Sequence, residues 1–443
     1  MYHDVPSGFL GRMRTSLQSV TNRTSLRGPM LEHILNNNIG ESSYVVASFI
    51  MLADSLVYAG FPETAERLAY WPLNEHIERG IECIENIARQ SLHLEGKSEK
   101  ISPNYKHTLV ARYKTILGRD LRAHDLEAEL SERTTVTHAH YYSCCRDSLC
   151  DAWHNAAYKK LLKFFEAAMA SAPDAPQTPE SWWGSRAAWL GSGSSSTKIR
   201  ETTLANKLSE VDGMRSTKNL ILNTWTNDKL DNIIASTPAI RCRKATKNEP
   251  GFKRRPLRAS DDESYLVASF ASNNMEKYLS MDGCVMRQRP EDVRQTQQAV
   301  DHTVKGNIGM IACADYSEFN NTHTQRSRSL LCTAMAKNYL RVGNYKQATA
   351  ALWMARAHLN HWLGETRCMQ GLSSGERDTA KDNTLLHYIY AQMALDELKR
   401  VDGHTIKIAR LQMCGDDEIA IGISWSDAHM YTNRLRAQGH SLQ

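Results

Sequence analysis

Three things are scarce in this sequence, and each scarcity excludes something. No long apolar run is present: the most hydrophobic window, Val45 to Ala53 (VVASFIMLA), is cut short by Asp54. A bilayer crossing needs about 20 such residues, so a core helix is expected here and no membrane partner. No regular cysteine framework is present either. The ten cysteines are scattered, and no cationic then apolar leader precedes a cleavage site, which points to reduced thiols in a cytoplasmic setting. A large net charge is also missing, since 54 Lys and Arg against 49 Asp and Glu leave only +5. There is no internal repeat.

What is present is a chain of 443 residues, 41% hydrophobic and 23% charged, the balance of a soluble globular protein with core enough for two or three lobes. The positive charge is concentrated. From Arg241 to Arg258 (RCRKATKNEPGFKRRPLR) eight cations face one acid, a local 8 − 1 = +7, and the remainder of the chain is at 5 − 7 = −2. A cationic stretch of one sign suits phosphate, whereas a merely solvated face interleaves both signs.

The first 170 residues read mainly as helices, with three- and four-residue apolar spacing in Thr64 to Leu92 and in Ser148 to Ala172. Pro173, Pro176 and Pro179, followed by GSGSSST at Gly191 to Thr197, mark a looped connection. The expected lobes are therefore 1–171, 172–306 and 307–443. Beyond Asn307, IGMIACADYSEF reads as a buried strand ending in acids, followed by a helix from about Asn320. A long helix is expected from Glu376 to Arg400. After it, TIKIARLQMCGDDEIAIGISW reads as a β-hairpin turning at Gly415 and Asp416.

That hairpin carries Asp416, Asp417 and Glu418 in a row between apolar segments. Adjacent carboxylates repel, a cost relieved by hydration or by a cation. An acidic turn facing water explains the row by itself, as strand-end capping explains Asp315 by itself. If the two strands are neighbours, however, Asp315 and Asp416 lie on adjacent strand ends, as a two-metal phosphoryl-transfer site requires. Between them, Ser374 and Gly375 open a helix on which Thr379 and Asn383, four apart, share a face; the plainer alternative is an N-capped helix with polar decoration.

Two other clusters hold residue types that can do chemistry. His138, His140, Cys144, Cys145, Cys150 and His154 contain zinc-ligand types, but their spacing matches no common zinc module. GSGSSSTK lacks the Gly-Lys-Ser/Thr order of a phosphate loop, and the sequon Asn22-Arg23-Thr24 has no meaning without a secretory leader.

Taken in order, these pieces resemble the RNA-dependent RNA polymerases of viruses, of the totivirus-like double-stranded RNA type. Asp315 and Asn320 within DYSEFNNTHT match the family's Asp-x4-Asn motif. Ser374, Gly375, Thr379 and Asn383 match its Ser-Gly-x3-Thr-x3-Asn motif, and Gly415, Asp416 and Asp417 its Gly-Asp-Asp motif. The basic finger motif looks like Lys247, Glu249, Gly251, Lys253, Arg255 and Leu257; Phe252 intervenes, so Arg254 is an alternative to Arg255. WLGSGSSS from Trp189 is similar to the family's segment where the template strand enters.

The resemblance implies an α+β right-hand polymerase: a helical N-terminal extension, fingers over 172–306 and a palm over 307–443. Because the chain stops 443 − 417 = 26 residues after Asp417, a truncated enzyme without most of its thumb is expected, with SDAHMYTNRLRAQGHSLQ as the next helix. By carry-over, Asp315, Asp416 and Asp417 would hold Mg²⁺ (or Mn²⁺). Lys253 with Arg254 or Arg255 would meet the triphosphate, and Lys244, Lys247 and Arg258 would track RNA. Asn320, Thr379 and Asn383 would sense the ribose 2′-hydroxyl, and Ser374 and Gly375 would form a flexible loop beneath the nascent base pair. The implied partners are RNA template and product, NTPs and a viral capsid protein, in the virion interior or host cytoplasm. The alternatives are a non-catalytic protein for RNA binding or packaging, and a reverse transcriptase, against which the Ser-Gly-x3-Thr-x3-Asn helix argues.

Overall fold

The computed structural model describes residues 17–70, apart from 27, 38–42 and 59, and residues 148–442, apart from 173–176, 192, 199–201, 203–215, 249–253, 282 and 287–288. Two compact units result: residues 1–125 with 246–256, and residues 126–245 with 257–443. The expected boundaries at 171/172 and 306/307 both fall inside the second unit.

In the first unit four helices are described, α1 (Leu17–Thr21), α2 (Gly28–Asn37), α3 (Ser43–Tyr58) and α4 (Pro62–Ala69). The apolar window forms the core helix expected of it: Val46, Phe49, Ile50 and Leu56 of α3 are buried with Ile34 of α2 and Ala65 of α4. Asp54, which interrupts that window, accepts from the Ser25 backbone N–H (2.8 Å) and hydroxyl (2.6 Å). A carboxylate at the edge of an apolar core is tolerable because it is bonded there. Of the helical segment expected over Thr64 to Leu92, residues 71–92 lie outside the described residues.

The second unit contains helices α5 (Ser148–Ala170), α6 (Asp262–Ser272), α7 (Pro290–Gly306), α8 (Gln325–Arg341), α9 (Tyr345–His358), α10 (Thr379–Val401) and α11 (Trp425–Ala437), with several shorter ones. Among the described residues no helix is long and apolar enough to cross a membrane. Helix α5 belongs to the core of this unit. Its Trp153, Leu161, Phe165 and Ala168 share one core with Leu331, Met335 and Tyr339 of α8 and with Leu385 and Ile389 of α10. Small residues on facing helices, such as Ala334 and Ala336 on α8 and Ala350 and Ala351 on α9, are fully buried, which lets these helices approach closely at close-packed density.

Two sheets are also described. Strands β1 (Ile240–Asn248), β2 (Arg254–Ser260), β4 (His361–Leu363) and β5 (Thr366–Arg367) lie in the order β2-β1-β4-β5, with β1 and β4 parallel. Strands β3 (Met310–Ala314), β6 (Arg410–Cys414) and β7 (Asp417–Ile423) form an antiparallel sheet in the order β3-β7-β6. Helix α7 packs on β3 and β7, and α10 on β6.

Several expected elements are present with shifted ends. The strand β3 is only half-buried, and Cys313 on it is exposed. Helix α8 begins at Gln325 rather than near Asn320. Glu318 takes a left-handed φ of 50°, Phe319–Thr322 form a 3-10 turn, and the Thr324 side chain caps the helix by accepting from the Ser327 N–H at 3.1 Å. Helix α10 begins at Thr379 rather than Glu376, because the Thr379 hydroxyl donates back to the Ser373 and Glu376 carbonyls (2.8 and 3.0 Å) and holds the preceding residues in a turn. The helix expected after the hairpin is α11, capped by Ser424 Oγ on the Asp427 N–H.

Candidate active site

The register of the β3-β7-β6 sheet sets which acids meet. Strand β3 pairs with β7 as far as Ala314 opposite Glu418, and the hairpin closes with Cys414 opposite Asp417. One residue past Ala314 is Asp315, so it leaves β3 at the end of the sheet where the hairpin turns. Asp315, Asp416 and Asp417 thus gather at one end of the sheet, and all three are exposed. Gly415 takes φ 66° while Asp416 does not take a positive φ, the pattern of a type II′ turn with glycine at its first central position. Three exposed carboxylates are an all-oxygen donor set, which fits a hard divalent cation such as Mg²⁺ or Mn²⁺.

Glu418, the last acid in the row, behaves differently. It is 5% exposed, and its Oε2 accepts from the Tyr316 hydroxyl and meets His387 Nε2, each at 2.8 Å. A buried carboxylate needs such partners to offset its desolvation. Burial and the neighbouring Glu418 charge push the Tyr316 phenol well above its ordinary range, so it stays protonated and donates. On the other ring nitrogen, His387 Nδ1 bonds the Gly415 carbonyl at 2.9 Å, and Thr384 Oγ1, three residues earlier on α10, accepts from the Gly415 N–H at 2.9 Å. Glu418 is legible in the sequence only as the third acid of the row, and Tyr316, Thr384 and His387 carry no motif there. His387 did leave a trace: it continues the line Thr379, Asn383, Asn383 + 4 along one helix face.

Of the other candidate residues, Asn383 stands beside the tip, its amide nitrogen 3.6 Å from where a Gly415 Cβ would be. Asn383 is buried, its Oδ1 bonded to His323 Nε2 at 2.7 Å. Asn320 holds the adjoining loop through its carbonyl, which accepts from the Leu372 N–H at 2.7 Å. Gly375 has φ 119°, and a Cβ there would stand 3.1 Å from the Arg258 carbonyl; Arg258 N–H in turn donates to the Ser374 carbonyl at 2.8 Å. The Ser374–Gly375 turn is thus laid against β2.

A buried ion network underlies that turn. Arg328, with no exposed side-chain surface, reaches Glu376 at 2.6 Å and Asp382 at 3.2 Å, while Lys381 pairs with Asp378 and Asp382, both at 3.1 Å. Burial opposes the Glu376 charge, yet Arg328 and His361 outweigh it and bring its carboxyl down to about 2. Beside it, Cys242 Sγ lies 3.2 Å from His361 Nε2, which lies 3.7 Å from Glu376 Oε1. The residue types would suit zinc. Both Glu376 oxygens, however, already accept from Arg328, and burial pushes the Cys242 thiol up, so the trio reads as a polar packing cluster.

The basic stretch divides. Lys244 is half-buried and Lys247 exposed; Lys253 lies outside the described residues, and Arg254 and Arg255 sit on β2 with their side chains outside them. Arg258 is corrected by the structure: expected on an RNA surface, it is 3% exposed, and burial lowers its guanidinium to about 10. The WLGSGSSS segment is anchored inward. The Trp189 ring stacks on Trp182 at 4.5 Å, the Ser195 hydroxyl bonds the buried Asp262, and the Ser196 and Thr197 N–H groups donate to the same carboxylate at 3.0 Å. Of the six zinc-type residues, His138, His140, Cys144 and Cys145 lie outside the described residues, as does the Cys150 side chain, and His154 is buried in α5.

Comparison with known proteins gives the arrangement a family context. The family model described as viral RNA-directed RNA polymerase matches residues 84–443. A probable RNA-directed RNA polymerase of Saccharomyces cerevisiae virus L-A is 26% identical over 265 residues, which are 58% of this chain and 16% of that protein. The chain therefore spans about a sixth of the length of that relative. A solved chain from an RdRp complex is similar at 14% identity and a TM-score of 0.44, over 66% of this chain and 27% of its own.

Proposed function

Since this chain belongs to the viral RNA-directed RNA polymerases, we propose that it carries out template-directed RNA synthesis, nucleotidyl transfer from an NTP to an RNA 3′-hydroxyl. The single observation that supports this most is the pairing of β3 with β7 as far as Ala314 opposite Glu418, the residues that adjoin Asp315 and Asp417. In this reading the mixed helix and strand architecture is a right-hand polymerase, and the three-stranded sheet is its palm.

Asp315 and Asp416 would hold two Mg²⁺ or Mn²⁺ ions, with Asp417 as a weaker ligand. When bound, such ions activate the primer 3′-hydroxyl and stabilise the leaving pyrophosphate. The chain's own residues do the rest. Exposed carboxylates at the tip leave room for substrate oxygens. Thr379 spends its proton on the loop carbonyls, so it shapes the turn, and Asn383 keeps its amide nitrogen, 3.6 Å from where a Gly415 Cβ would stand, as a donor for the ribose 2′-hydroxyl along with Asn320. The turn at Ser374 and Gly375 would lie under the nascent base pair. Lys253 with Arg254 or Arg255 would neutralise the triphosphate, and Lys244 and Lys247 would track RNA phosphates. Arg258, being buried, supports the loop instead.

The proposed setting is viral, with RNA, NTPs and a capsid protein as partners, inside the virion or the host cytoplasm. The test is primer extension on an RNA template with NTPs and Mg²⁺ or Mn²⁺, comparing wild type with Asp416→Asn and Asp315→Asn. Extension abolished by either substitution, with RNA binding kept, is the expected result. Extension untouched by both would reject the metal assignment. RNA binding with no extension by the wild type would favour the packaging reading.

A further inference from the structure

A single imidazole touches the chain neighbour of every carboxylate in the site, and we infer that His387 is the positioning residue that sets the spacing of Asp315, Asp416 and Asp417. The inference rests on the metal-site reading above and adds a residue that lies outside all the recognised motifs.

The geometry is specific. His387 Nδ1 bonds the carbonyl of Gly415, the residue before Asp416, at 2.9 Å. Its Nε2 meets the carboxylate of Glu418, the residue after Asp417, at 2.8 Å, and lies 3.0 Å from the hydroxyl of Tyr316, the residue after Asp315. A carbonyl oxygen only accepts, so Nδ1 carries a proton, and the ring orientation is thereby assigned. The ring is also locked sterically. It has no exposed side-chain surface, meets the Tyr316 ring edge-on at 4.8 Å and packs against Phe319 at 4.8 Å.

Turns normally give their backbone groups to water. At Gly415 both are taken by α10 instead, the N–H by Thr384 and the carbonyl by His387. The hairpin tip is thus fixed to a helix, and through Glu418 and Tyr316 that helix is fixed to the end of β3. A metal site needs its carboxylates held to within a fraction of an ångström, and losing a group that orients a ligand typically costs about 10- to 100-fold in affinity. Here the orientation acts through the backbone on either side of each ligand. Asn at 387 would keep a donor where Nδ1 is, and Gln one where Nε2 is, so the two arms can be separated.

The experiment is Mn²⁺ binding to the purified chain, followed by electron paramagnetic resonance, with thermal melting of each variant alongside. Wild type should bind Mn²⁺ and Asp416→Asn should not; if wild type fails to bind, the metal reading falls and the inference with it. Given that control, His387→Ala should weaken Mn²⁺ binding by about 10- to 100-fold, with His387→Asn and His387→Gln each recovering part of the loss. Thr384→Val, which removes the acceptor for the Gly415 N–H together with the hydroxyl's own bond to the Ala380 carbonyl one turn back and keeps the side-chain shape, should weaken binding several-fold and serves if His387→Ala does not fold. Wild-type Mn²⁺ affinity in a folded His387→Ala, or in Thr384→Val if the former is unfolded, would overturn the inference while leaving the metal site intact.

Discussion

Arg328 and Glu376 meet as a buried fork, Nη2 to Oε2 at 2.6 Å and Nη1 to Oε1 at 3.2 Å, and Glu376 is the residue that follows Gly375 in the chain. The turn that would lie under a nascent base pair is therefore held from below by a charge pair inside the core. Breaking such a pair strands a charge. Arg328→Met is expected to cost about 3–5 kcal/mol, because Glu376 and Asp382 are left without their shared cation. Urea denaturation of wild type and variant measures it, and a loss below about 1 kcal/mol would show the network to be slack. Arg328→Lys should recover only part, since an ammonium cannot fork.

Acid should find the same pair. The Glu376 carboxyl is lowered from 4.5 to about 2, so its folded-state value lies below its unfolded one. Its contribution is full above about pH 4.5 and is lost as pH falls toward 2. Stability measured by denaturation at pH 5, 4 and 3 should fall over that window, and Arg328→Met should flatten this part of the profile. An identical acid slope in both proteins would remove Glu376 as its source.

Two glycines at the site should respond differently to alanine. Gly415 has φ 66° and its Cβ would meet only the Asn383 amide at 3.6 Å, so Gly415→Ala should cost about 1–2 kcal/mol from backbone strain alone. Gly375 has φ 119°, and its Cβ would press on the Arg258 carbonyl at 3.1 Å and the Leu257 side chain at 3.3 Å. Gly375→Ala should therefore cost more, about 2–3 kcal/mol, and displace the turn. Equal melting temperatures for the two variants would contradict the difference in crowding.

RNA binding should be strongly salt-dependent if the stretch from Arg241 to Arg258 follows phosphates. Lys247→Ala, at an exposed position, should reduce the slope of log affinity against log salt by about 0.7–0.9. Arg258→Met should leave that slope alone because its side chain is buried. Filter binding over a salt series reads both, and a flat response in the wild type would dismiss the phosphate role.

What the sequence determined by itself was local. Alternating apolar residues around a glycine specify the hairpin at Gly415, and a four-residue spacing places Thr379 and Asn383 on one helix face. The chemistry of adjacent carboxylates draws attention to Asp416 and Asp417, and the end of a predicted strand to Asp315. These signals are legible because each depends on neighbours a few residues away. The tertiary structure decided what lies beyond that range. It turned Glu418 inward while leaving Asp416 and Asp417 outside, buried Arg258, expected to track RNA, against the Ser374–Gly375 turn, and started α10 at Thr379 instead of Glu376. Arg328 finds Glu376 across 48 residues, and His387 finds Glu418 and Tyr316 across 31 and 71. No periodicity records such pairs, because a buried polar group takes whichever partner the packing of helices and strands brings within reach.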